Sequence, residues 1–124
     1  MFEKEFDTAT VQLLIENHKN ILFVEISGIK TTLQTHHTVQ PEGLSIKENH
    51  ISYVFHIPPV YLFKDYLSKN ESELINIIKN CPLKTIYYII KTNNDETRNR
   101  LRFLRKKIEE KGVEKEEIIV VEKL

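Results

Sequence analysis

Residues 85–121 read TIYYIIKTNNDETRNRLRFLRKKIEEKGVEKEEIIVV, and this stretch decides the fold. Thr85 to Ile90 is a continuous apolar and β-branched run, the composition of a strand buried on both faces. Ile118 to Val121 is another. Between them, residues 95–112 carry the helical period: at about 100° per residue, Leu101, Leu104 and Ile108 fall on one stripe. Asn93 and Glu96 have capping-box spacing, and Gly112 suits a left-handed C-cap. A strand, a helix and a strand of these lengths form a right-handed crossover, so the two strands are expected to be parallel.

Working backwards, Asn70 and Glu73 repeat the capping-box spacing, and Leu74, Ile77, Ile78 and Cys81 make the stripe of a second helix. Tyr61 to Leu67 reads as one or two helical turns, after Pro58-Pro59 ends a strand. Leu44 to Lys47 and His50 to Ile57 read as a hairpin turning at Glu48-Asn49. Along its second arm Ile51, Tyr53, Phe55 and Ile57 share one face, and Ser52, Val54 and His56 share a less buried one. Ile29 to Gln40 is polar and β-branched and reads as an irregular strand. Ile21 to Val24 is a third strand buried on both faces, broken by Ser27-Gly28. Asp7 or Thr8 can cap a helix running to His18, with Phe2 and Phe6 anchoring the terminus. The order α-β-(β)-β-β-α-β-α-β predicts a mixed α/β (α+β) domain spanning residues 1–124. Its single mixed sheet has antiparallel pairs in the N-terminal half and a parallel β-α-β unit at the C-terminus.

The bulk numbers exclude more than they identify. In 124 residues, 18 bases balance 18 acids, so a polyanion site would have to come from local clustering. Neither a membrane span nor a signal-peptide layout is visible, and a lone cysteine, Cys81, makes no internal disulfide. The cytoplasm is the expected location.

The clustering is in the 95–112 helix. Six of the ten residues from Arg98 to Lys107 are basic: Arg98, Arg100, Arg102, Arg105, Lys106 and Lys107. Phe103 falls opposite the apolar stripe, among Asn99, Arg102, Lys106 and Lys107. Aromatic and Arg side chains together are what protein interfaces enrich, which marks Arg98, Arg100, Arg102, Phe103, Lys106 and Lys107 as an interface or nucleic-acid surface. A solvated face answered by Glu109, Glu110, Glu114, Glu116 and Glu117 is the competing reading. Lys91, Thr92, Asn93 and Asn94 sit between a strand end and a helix start, where free N–H groups favour anions. With Arg98 they form a candidate anion site.

Catalytic constellations are not apparent. His36 and His37 point to opposite faces if extended, and His50 and His56 would lie about 20 Å apart, so no metal site or cofactor is expected. The element order is similar to restriction-endonuclease-like and ribonuclease-H-like folds. Glu42, Glu25 and Asp95 could supply some acids of such sites. The Glu-x-Lys of the first family is missing from Ile51 to Ile57, however, and a metal-dependent nuclease needs clustered carboxylates. The chain is therefore read as a non-catalytic binding or regulatory module acting as a homo-oligomer or adaptor. It would take a protein partner or a small anionic ligand near residues 91–107. The alternative is nucleic-acid binding through the basic helix on a degenerate nuclease-like scaffold.

Overall fold

The computed structural model describes residues 2–30, 43–57 and 69–123. They form a mixed α/β structure of one six-stranded sheet and three helices: β1 (Phe2–Asp7), α1 (Thr8–Asn17), β2 (Leu22–Lys30), β3 (Gly43–Lys47), β4 (His50–Ile57), α2 (Lys69–Asn80), β5 (Thr85–Ile90), α3 (Asp95–Glu110) and β6 (Glu116–Lys123). The strand order is β1-β6-β5-β2-β4-β3. Among the described residues, no helix is long and apolar enough to cross a membrane.

The β5-α3-β6 crossover is parallel, as its lengths require. Antiparallel pairing in the first half is confined to the β3–β4 hairpin, whose turn residue Glu48 takes a positive φ. β2 runs parallel to both β4 and β5. β2 also continues through Ser27 and Gly28 to Lys30 instead of breaking there. Gly28 is in the strand because nothing larger fits. A Cβ there would stand 2.8 Å from the Phe55 ring and 3.1 Å from Thr97 Oγ1.

One strand is additional to the sequence reading. Phe2 and Phe6 belong to β1, which pairs in parallel with β6 from Phe2↔Ile118 to Asp7↔Lys123. The expected irregular strand beyond Lys30, the Pro58-Pro59 stop, the Tyr61 to Leu67 turns, His36, His37 and Glu42 lie outside the described residues, as does the His56 side chain.

Chain direction sorts the helices. From β1 to β2 the chain crosses the sheet one way; from β4 to β5 and from β5 to β6 it crosses the other. Right-handed crossovers made in opposite directions must use opposite faces. Accordingly α2 and α3 bury Leu74, Ile75, Ile78, Leu101, Leu104 and Ile108 on the face carrying Val24, Ile26, Ile51, Tyr53, Ile86, Tyr88, Ile90 and Ile119. On the other face α1 covers Phe23, Ile89, Ile118 and Val120 through Val11, Leu14 and Ile15. Among the described residues two helices share one face and a single helix serves the other, and that imbalance positions the site.

Candidate functional site

The basic helix is anchored at its start by Asn94, whose Oδ1 accepts from Thr97 N at 2.8 Å. The cap is thus Asn94, one residue beyond the Asn93 of the capping-box reading. Asn70 likewise lies inside α2. Most of the helix's cations are answered within the chain. Arg98 meets Glu3 on β1 at 2.7 Å and donates through Nε to Asn93 Oδ1 at 2.7 Å. Arg105 Nε donates to Glu117 on β6 at 2.7 Å, which raises the guanidinium's already high pKa further. Lys107 pairs with Glu110 at 3.4 Å and its ammonium lies 5.5 Å from the Phe103 ring centroid. Arg102 donates to Asn99 Oδ1 at 2.7 Å, and Lys106 is exposed.

Arg100 corrects the surface reading of the run. It is buried, and its Nε meets Glu71 Oε1 of α2 at 2.9 Å. The Tyr53 hydroxyl donates to the same oxygen at 2.9 Å, and the guanidinium lies 4.8 Å from the Phe55 ring centroid. Helical position explains this: Arg100 is one residue before Leu101 and four before Leu104, on the edge of the inward stripe. It cannot touch a partner without opening the α2–α3 seam. Phe103 is half-buried instead of standing bare on the outer face. What remains outside is Arg102, Lys106, Lys107 and the open part of Phe103.

The 91–94 segment is engaged in the same way. Lys91 N donates to Ile26 O at 3.2 Å, and its Nζ lies 3.4 Å from Glu25 Oε2. Asn93 holds Arg98, Asn94 caps the helix, and Thr92 is half-buried. The five residues are neighbours, and the side chains of Lys91, Asn93, Asn94 and Arg98 each have a partner within the chain.

Lys91 leads instead to a cleft that the sequence reading did not assemble. Side chains alternate along a strand, so the register puts Glu25 and Ser27 of β2, His50 and Ser52 of β4 and Ser45 of β3 on the α1 face. Ser45 is paired with Ser52, and Ser52 with Glu25, in one row across three strands. Glu25 is only 8% exposed, and each of its oxygens has a close polar neighbour. His50 Nε2 lies 2.8 Å from Oε1, and Ser52 Oγ donates to Oε2 at 2.9 Å, the oxygen also facing Lys91. A carboxylate withdrawn from water needs such partners to replace the hydrogen bonds that water gave it. Around it opens a cavity of about 390 Å³, lined among the described residues by Glu25, Ser27, Ser45, Ser52, Tyr53, Val54 and Lys91. His50 forms the boundary with a neighbouring cavity of about 560 Å³ beneath the end of α1.

The signal for this cleft was present in two places: the polar alternation of Glu25 and Ser27, and the less buried Ser52 and Val54 face of β4. What could not be read was that β4 lies beside β2. Among the described residues no three His, Cys, Asp or Glu side chains converge as a metal would require. Compared with protein-family models, curated proteins and solved structures, the chain matches none.

Proposed function

We propose that the protein is a small, non-catalytic binding module whose ligand seat is the cleft of Glu25, Ser52 and Lys91. The observation that carries this reading is a nearly buried carboxylate, bonded by Ser52 and paired with Lys91, at the floor of a serine-lined hollow. A sheet face needing only stability would be filled by apolar side chains, as the α1-covered half of this face is. Hydroxyls and an ammonium around a fixed carboxylate are the convergent polar groups of a ligand pocket. The cytoplasm remains the proposed location, on the single thiol at Cys81. The test is chemical-shift mapping of the labelled protein with a fragment mixture of small polar compounds. Perturbations should concentrate at Glu25, Ser52 and Lys91. A folded protein whose perturbations fall elsewhere, or nowhere, would refute the reading.

A second reading is favoured by the outer side of α3, where Arg102, Phe103, Lys106 and Lys107 stand together. This would be a contact for a partner protein or a second copy, or for nucleic acid. Ionic strength separates these, because phosphate contacts weaken steeply with salt and a Phe103-centred interface does not. With Arg98, Arg100 and Arg105 engaged internally, fewer cations are left for phosphates than the run of six suggests, which favours a protein contact.

A further inference from the structure

Resting on the cleft reading above, we propose that the seat takes a neutral ligand presenting adjacent hydroxyl groups, the chemistry shared by a sugar ring and the ribose of a nucleoside. Charge is the first argument. Among the described residues, Glu25 and Lys91 are the formally charged side chains lining the cavity, and they face each other at 3.4 Å. Their charges cancel. An entering anion would compete with Glu25 for Lys91 and would meet the carboxylate's own charge, on a side chain only 11% exposed. An entering cation would have to displace Lys91 or crowd it. Either ion gives up an existing pairing to gain its own.

Hydrogen-bonding capacity is the second argument. A hydroxyl both donates and accepts. It can give its proton to a spare lone pair of Glu25 and receive one from Lys91, whose ammonium has three N–H bonds and whose side chain is 44% exposed. Ser27 and Ser45 flank these groups with hydroxyls of the same dual character, and Val54 offers an apolar patch for a ring's C–H face. The volume, about 390 Å³, is that of a small-molecule seat.

The experiment titrates the labelled full chain with four probes in the millimolar range: methyl glucoside, adenosine, inorganic phosphate and putrescine. Its readout is the amide signals of Glu25, Ser27, Ser45 and Ser52. Methyl glucoside or adenosine is expected to move them saturably, and which one does so separates the sugar from the nucleoside source. The two ions are expected to leave them in place. A Ser27→Ala/Ser45→Ala variant with an unchanged dispersed spectrum should bind at least tenfold more weakly, while equal affinity there overturns the proposed contacts. Saturable binding of phosphate or putrescine at these amides overturns the neutral class and leaves the cleft as the seat. If none of the four probes moves them, both the ligand class and the cleft reading fall.

Discussion

Glu71 is fully buried at the start of α2, and the stability of the α2–α3 face depends on its meeting Arg100 there. Removing one member of a buried pair leaves a charge without compensation, which costs about 3–5 kcal/mol. Arg100→Ala should therefore lower the urea midpoint sharply. The double variant Arg100→Met/Glu71→Leu should recover much of the loss, since apolar replacements of similar volume can be neutral or better. Equal midpoints for Arg100→Ala and wild type would sink this account. Asp7 acts at the other end of the chain. Its Oδ1 accepts from Thr10 N at 2.7 Å, and hydrogen bonding to Thr10 holds its carboxyl below the usual aspartate range. A folded-state pKa lowered in this way gives stability that is present above the unfolded value and lost as pH falls through the folded one. The stability gap between wild type and Asp7→Ala should thus narrow below the ordinary aspartate pKa, as followed by denaturant titrations at stepped acid pH.

At the scale of elements, Gly28 lets the start of α3 approach β2. Gly28→Ala would press a methyl on the Phe55 ring and Thr97 Oγ1, an overpacking of about 1–3 kcal/mol visible in the same urea measurement. The protected edge is a second element-scale device. Among the described residues β1 has one neighbour, β6, and it carries Glu3, Lys4 and Glu5 along its length. Charges on an edge discourage pairing with another chain. Lys4→Val/Glu5→Val should raise concentration-dependent light scattering; unchanged scattering would assign the protection elsewhere. The same charges hid β1 from the sequence reading, because only Phe2 and Phe6 mark it as apolar. By contrast β5, α3 and β6 were legible, since a strand buried on both faces and a regular helical stripe each leave one interpretation. The site was only half legible. Glu25 stands out in the sequence as an acid directly after the apolar run Ile21 to Val24, but strand periodicity fixes a residue's face without fixing its neighbour. Ser52 and Lys91 reach Glu25 through the order β4-β2-β5, which no local pattern encodes. Arg100 misled for a similar reason, as its partner Glu71 belongs to another helix.

At the scale of the whole molecule, the helices are divided two against one, and that division follows from handedness. Each crossover is local, yet their directions jointly decide which half of a sheet face goes without a helix among the described residues. A further consequence concerns force. β1 and β6 are parallel neighbours joined from Phe2↔Ile118 to Asp7↔Lys123, so handles at Phe2 and Lys123 would attach at opposite ends of one ladder. Tension between them loads those hydrogen bonds together, in shear, whereas pulling from Asp7 and Lys123, which share one end of the ladder, opens it pair by pair. In single-molecule stretching, the Phe2–Lys123 geometry should rupture at a higher force when β1 is intact than when Lys4→Pro/Glu5→Pro, adjacent residues of which one directs its N–H toward β6, removes a ladder donor. For this fold, mechanical strength is a property of direction.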